Sequence, residues 1–538
     1  MTKIFELQNH ILIYTSCMDP AEHRHMAAHI IISMGNQMKV MVNNKEYLCK
    51  GICIPSGDSH KIDTCGNPVL VFLYDSTTNV AKHIQKVQEI DDEKCINIIS
   101  LYEEFEKSSS KADYSKIEKY ILEEFGRNHY KNYVSVSLDL VTDLQNFLKE
   151  NINPLEIIAY LESLFNTRIL PHETLVILDE IQDCKRALLA LKYFQEEYPQ
   201  YDIVAAGSLL GVAVNKGVKE DDDNTSNLNR EIEDEFSYPV GKVDELTLYP
   251  MDFEEFLWAT NNDVLAEEIR NHYNTNTAMP DSVHKMALDL YQKYLVVGGM
   301  PESVKKFVET HSYIECRTIQ QSILNGYDSD MSKYAKPSTT VKIRACWNSI
   351  PAQLAKENKK FQYKLAKKGG TASFFGEAIS WLVLSGIILK CKLVNHGYIP
   401  LSVYEDDSDF KIYTLDVGLL GAKAQMPITL LLNAVSENNI FLGAIAENYV
   451  AQSLKANGIT LRYWKNDNTS ELEFAIQDSD KVIPVEVKKG TKVRAISMNT
   501  FIQQYGCSIA YRISSKNFGL ENNIKSIPLY AVFCITPD

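Results

Sequence analysis

The stretch LVILDEIQD, Leu175 to Asp183, decides how the centre of this chain folds. Leu175, Val176, Ile177 and Leu178 run without a polar residue into Asp179–Glu180. A short continuous apolar run of this kind reads as a strand buried on both faces. Working outward, NYVSVSLD reads as a strand and PLEIIAYLESLF as a helix. CKRALLALKYFQEEYP reads as a second helix and YDIVAAGS as a second buried strand. Strands alternating with helices imply a parallel sheet covered on both faces. A carboxylate at the carboxyl end of such a strand suits nucleotide hydrolysis. Asp179 would hold Mg2+, and Glu180 would orient or deprotonate the attacking water. The plainer alternative is an acidic residue at a helix start. AAGSLLG strengthens the first reading, because it places Ser208 at the carboxyl end of an adjacent strand, where ligands of open α/β sheets bind.

A strand of that type needs a phosphate loop, G-x-x-x-x-G-K-S/T, between a strand and a helix. PVGKVDEL offers Gly241–Lys242 without the earlier glycine or the following hydroxyl, and KKGGTAS has its elements in the wrong order. Neither supplies the backbone amides that would cradle phosphates.

The totals bound the rest. At roughly 100–200 residues per domain, 538 residues suggest three or four domains. No run approaches the roughly 18 uncharged apolar residues that span a bilayer, and MTKIFELQNHILIYTS is not built like a signal peptide. Eleven scattered cysteines fit a reducing cytoplasm better than a disulfide framework. The net charge of −15 confines any DNA contact to a local basic surface.

The expected organisation has five parts: 1–85, a small β-barrel; 86–118, a helical linker; 119–260, the α/β core; 261–435, helices with a winged-helix cadence in TASFFGEAISWLVLSGIILKCKLV; and 436–538, a second α/β unit. A polar, acidic loop is expected over Asn215–Ser237.

Two further constellations carry chemistry. Glu447 stands on a helix, Glu473 in ELEF, and Glu486 and Lys488 in EVK. Alternation along a strand puts an acid and the E-x-K pair on one face of adjacent strands. Such carboxylates could hold Mg2+, with the lysine stabilising developing charge, which is nuclease chemistry. A solvated alternating strand is the bland alternative. HRHMAAH and PSGDSH give His23, His25, His29 and His60, a set that suits a first-row metal or simply lines a small-molecule pocket or a barrel mouth.

On these residues, the N-terminal part resembles the cupin barrel that serves as the sensor of AraC-type transcription regulators; HRH, Gly35, Gly51 and PSGDSH carry the likeness. From about residue 120 the chain resembles prokaryotic AAA-type ATPases with a C-terminal domain of unknown function 4143. LVILDEIQ, AAGSLLG, YPVGKVDELTLYPMDFEEFL, YLVVGGMPESV, FKIYTLDVGLL, GAIAENYVAQSL and EVKKG carry that likeness. The resemblance implies a P-loop ATPase core, a winged-helix-like segment and a restriction-endonuclease-like C-terminal fold. It implies ATP and Mg2+ as cofactors, with Asp179 and Glu180 on the strand that handles the ion and water. It also makes Ser208 the γ-phosphate sensor and Lys242 a nucleotide-side cation, where relatives often carry arginine. In such relatives the phosphate loop precedes the segment YILEEFGRNHYKN; here the cupin-like region stands in its place. Glu473 stands where relatives commonly show aspartate. The expectation is a multidomain protein with a truncated ATPase core and a degenerate nucleotide site. It would act on DNA or a protein partner while its barrel senses a small molecule, with no membrane role. An active Mg2+-dependent nuclease and a non-functional domain fusion are the alternatives.

Overall fold

The computed structural model describes residues 2–7, 10–15, 23–24, 27–74, 84, 86–92, 94–96, 98–99, 114–207, 241–356, 359–433, 440–466, 470–490 and 496–537. The chain divides into two compact units, Met1–Lys111 and Ala112–Asp538.

The first unit carries β1 (Thr2–Leu7), β2 (His10–Thr15), β3 (His23–Arg24), β4 (Ala28–Ser33), β5 (Met38–Val42), β6 (Lys45–Cys49), β7 (Gly51–Ile54), β8 (Ser59–Asp63), β9 (Val69–Tyr74) and β10 (Gln88–Ile90). They form two sheets, in the orders β1-β2-β9-β4-β7-β10 and β3-β8-β5-β6. Alternation decides which side chains face in: Met38, Val40 and Val42 are buried while Lys39 and Met41 point out. Residues from both sheets, among them Ile31, Val40, Ile52, Ile62 and Val71, share one apolar core. Asn43 and Asn44 both adopt positive φ, at 49° and 66°. That is the two-residue turn whose twist matches a hairpin, and it sets the register Val42↔Lys45.

The second unit opens with helix α1 (Tyr114–His129), then β11 (Asn132–Ser137), α2 (Thr142–Glu150), α3 (Pro154–Phe165), β12 (Thr174–Asp179), α4 (Lys185–Glu197) and β13 (Asp202–Ala205). The sheet is parallel, ordered β11-β12-β13, with Ser137 paired to Asp179. Every residue of β12 is buried, as the apolar run requires. The sequence places the end of the first helix at Gly126, yet α1 continues to His129. Gly126 instead lets the helix approach the sheet: a Cβ there would lie 2.9 Å from that of Tyr133.

Helices α5 (Phe253–Ala259), α6 (Asp263–Thr275), α7 (Asp281–Val297), α8 (Pro301–Thr310), α9 (Tyr313–Tyr334), α10 (Pro337–Leu354), α11 (Tyr363–Ala366) and α12 (Ala372–Leu384) follow. Then come β14 (Ile388–Val394), β15 (Glu405–Thr414), α13 (Val417–Lys423), α14 (Ile428–Leu432), α15 (Ile440–Ala456), β16 (Arg462–Lys465), β17 (Glu471–Leu472), β18 (Phe474–Asp478), β19 (Lys481–Val487), α16 (Ile496–Tyr505), β20 (Ala510–Ser514), β21 (Gly519–Glu521) and β22 (Ile524–Pro528). The strand after Gly386, expected as a wing, is an interior strand of a mixed sheet. β14 pairs antiparallel with β15 and parallel with β16. Helical and C-terminal segments therefore share a sheet, and one continuous core runs from Phe253 to Ile535. The stretch ELEFAI, whose alternation reads as one strand, is two. β17 ends the sheet β15-β14-β16-β17 and β18 begins the sheet β18-β19-β20-β22-β21, with Glu473 at the switch.

Candidate functional sites

Asp179 ends β12 with its side chain buried, 3% exposed. Its Oδ2 accepts a 3.3 Å hydrogen bond from the Ser137 hydroxyl, while Oδ1 is buried with no partner among the described residues. Burial pushes the carboxyl above its ordinary value, opposed by the Glu180 backbone amide and the Lys119 charge. Glu180 sits in the left-handed region, φ 53°, a conformation that costs a non-glycine residue about 1 kcal/mol. Its carboxylate accepts from the Gln182 side-chain amide. Lys242 is paired with Glu196 at 3.1 Å. Glu180 and Lys242 both line a cleft of about 1520 Å3 that follows β13 and reaches Gly326 and Lys333 of α9. Ser208 and the acidic loop Asn215–Ser237 lie outside the described residues.

A hydrated Mg2+ held through one carboxylate suits Asp179 with its unpartnered oxygen. Phosphate needs more: glycines that let successive backbone amides approach it. The chain has no glycine between Gly66 and Gly126, and Gly126 lies inside α1. Asp179 thus suits the ion, and no glycine-rich loop of that kind stands ahead of it in the sequence.

The C-terminal constellation is drawn together more tightly, although Glu473, Glu486 and Lys488 do not line the large cleft. β18 and β19 run antiparallel with Phe474 opposite Val485. That register sets Glu473, at the sheet switch, beside the end of β19. Lys488 Nζ lies 2.9 Å from Glu473 Oε1 and 3.6 Å from Glu486 Oε1. Glu473 Oε2 accepts from the Val487 backbone amide at 3.1 Å. Glu486 Oε2 is buried with no partner among the described residues. Burial raises the Glu486 carboxyl, opposed by Lys488 and reinforced by Glu473.

Glu447 has a different environment. Its Oε2 takes the Lys359 ammonium, and its Oε1 accepts from Tyr413 at 2.6 Å and lies 3.2 Å from Lys411 Nζ. Lys411 continues to Glu471 at 2.6 Å. Glu447 is thus the centre of a buried ion-pair cluster with both oxygens occupied. Lys359, Lys411 and Tyr413 escaped the sequence reading. The available signal was FKIYT, where a lysine interrupts an apolar strand two residues before a tyrosine, so both point the same way.

The donor set at this site offers a cation one open oxygen on Glu486 and a second carboxylate, Glu473, that shares Lys488. Mg2+ is commonly held by one or two carboxylates plus waters, so the pair fits. Among the described residues, no three His, Cys, Asp or Glu side chains converge as a metal cluster.

The cluster at Glu447 makes stability depend on pH. Burial alone would raise this carboxyl, but Lys359 and Lys411 overcome it and hold it at about 2. A depressed carboxyl stabilises the fold above its ordinary value of about 4.5, and that contribution fades as pH falls toward 2. The full difference is about 3 kcal/mol. Between pH 5.5 and 3.5, urea unfolding of the wild type should lose about 1 kcal/mol more than that of Glu447→Gln. Equal losses would remove Glu447 from the account.

In the first unit, His23 pairs with His60 across β3 and β8. The buried rings of His29 and His60 stand 4.7 Å apart, edge to face. The His23 side chain and the whole of His25 lie outside the described residues.

Comparison with known families adds three matches. Residues 80–221 match the AAA domain family, beginning some way ahead of Lys119, where the likeness was expected to start. Residues 288–428 match a domain of unknown function, 8612, and residues 442–532 match domain of unknown function 4143. No curated protein matches the chain. The chain thus carries an AAA domain, which suggests an ATPase-family protein, and ends in a domain of unknown function 4143.

Proposed function

We propose that this ATPase-family protein has lost ATP turnover or retains it only weakly, and that it acts by binding. The carrying observation is the glycine-free run from residue 67 to 125, which includes the first part of the AAA match. Charge-assisted hydrogen bonds to phosphate are worth roughly 1.5–3 kcal/mol each, and several would be missing. Asp179 and Glu180 cannot replace them, because carboxylates repel phosphate. In this reading the first unit is a cupin-like sensor whose mouth, at His23, His25 and His60, takes a small ligand. The partner is DNA, met by the lysine-bearing surface of the helical segment over 261–435 together with a restriction-endonuclease-like C-terminal fold. Six lysines fall within residues 356–368 of an otherwise acidic chain. One of them, Lys367, and Lys342 stand 4.9 and 4.6 Å from the ring centre of Phe374, at the start of α12. Cations flanking a part-exposed aromatic suit phosphates and unstacked bases.

The test is Mg2+-dependent ATP hydrolysis by the full chain. The expected rate lies within about tenfold of that of Asp179→Asn; a larger gap overturns the proposal. DNA binding should weaken steeply with added salt.

A second reading, a Mg2+-dependent nuclease, is favoured by one observation: the unpartnered Glu486 Oε2 beside Lys488. Glu486 and Glu473 would hold the cation, which would polarise a phosphodiester, and Lys488 would neutralise charge developing on it. Nicking of supercoiled plasmid with Mn2+ that disappears in Glu486→Ala establishes this reading; equal background in both excludes it.

A further inference from the structure

The groove where α9 meets α13 and α14 holds an arginine that no acidic group among the described residues neutralises. Both terminal guanidinium nitrogens of Arg317, Nη1 and Nη2, are buried and have no hydrogen-bond partner among the described residues. Arginine stays protonated in proteins, so Arg317 remains a buried cation. Burial pulls its proton affinity down, and no carboxylate among the described residues opposes this; only the neighbouring Cys316 does. Nη1 packs over Gly421, 3.5 Å from where a Cβ would stand. The end of α13 there offers at most about half a negative charge, which does not match a full positive one.

Arg317 lines a groove of about 580 Å3 with Thr318, Gln321, Ser322 and Asn325 of α9 and Ile428 of α14. That volume lies within the range of small-molecule sites. The walls combine one planar cationic fork, hydroxyl and amide side chains, and an apolar edge. A guanidinium fork matches the paired oxygens of an oxyanion. We infer that Arg317 is the anchor of a small-molecule site that takes a phosphate- or carboxylate-bearing organic anion. The groove shares Ser322 with the large cleft but is lined by neither Asp179 nor Glu486, so it stands whichever reading of those two residues holds.

Thermal unfolding of the full chain tests this with inorganic phosphate and citrate as separate probes, against sodium chloride at equal ionic strength. Wild type should gain about 3 °C or more in Tm with at least one anion, rising with concentration. The probe that acts tells phosphate from carboxylate. Arg317→Met should lose that gain, and its Tm without added anion should equal or exceed wild type, since an uncompensated buried charge is gone. Arg317→Lys keeps the charge without the fork and should show at most a reduced gain. No anion-specific gain in wild type, or an equal gain in Arg317→Met, overturns the inference. So does a lower starting Tm for Arg317→Met that Arg317→Lys restores, since the arginine would then have a structural role.

Discussion

Lys411→Ala should cost about 3–5 kcal/mol of stability, among the largest single-residue losses available in this chain. Lys411 is 1% exposed and its ammonium bridges Glu447 and Glu471, at 3.2 and 2.6 Å. It also stands 4.8 Å from the ring centre of Tyr463. Truncation removes the counter-charge of two acids at once. Glu447, itself buried, keeps only Lys359 and Tyr413. An uncompensated buried charge is far more costly than the net worth of the pair that held it. Urea unfolding of the variant against wild type at neutral pH measures the difference. A loss under about 1 kcal/mol would mean the cluster behaves like a solvated surface pair.

Gly299→Ala comes next, at about 3 kcal/mol. A methyl group at Gly299 would overlap the Met251 carbonyl oxygen, which is backbone and cannot swing aside. The Met251 amide donates to the Gly299 carbonyl at 2.8 Å. The Gly299 amide donates to Asp416 Oδ2 at 2.6 Å, so the clash propagates into a carboxylate that is fully buried. Asp416 also caps α13 by accepting from the Leu419 amide at 2.9 Å. Gly298, with φ 71°, makes the turn into this contact and leaves no room for a side chain against the Asp416 carboxylate. Gly443→Ala, in helix α15 with nothing near its Cβ position, serves as the control and should be neutral or slightly stabilising. Equal effects at the two glycines would refute the packing argument.

These two sites show where sequence reading succeeds and where it stops. The β12 strand was legible because burial on both faces writes itself as consecutive apolar residues. The parallel α/β order of the core followed from the spacing of such runs. The contact among Glu473, Glu486 and Lys488 was legible because two of them sit two residues apart on one strand. What was not legible is pairing at long range. Lys359 meets Glu447 across 88 residues of chain and Lys411 across 36. No local pattern marks Glu447 as an ion-pair centre rather than an open ligand. The double glycine of YLVVGGMPESV was noticed only as a likeness to other proteins. Its physical reason, room for the Asp416 carboxylate, required the packed structure. The switch of sheets at Glu473 was hidden for a related reason: ELEFAI alternates as one strand would, and only its partners differ.

On the proposed function, the core keeps the strand of a nucleotide-hydrolysing enzyme without its phosphate site. Calorimetric titration of the full chain with ATP and Mg2+ tests it most directly. No saturable binding tighter than roughly 10 μM, equivalent to about −7 kcal/mol, is expected. Tighter binding that Asp179→Asn weakens by about tenfold or more, a difference of about 1.4 kcal/mol, would contradict it.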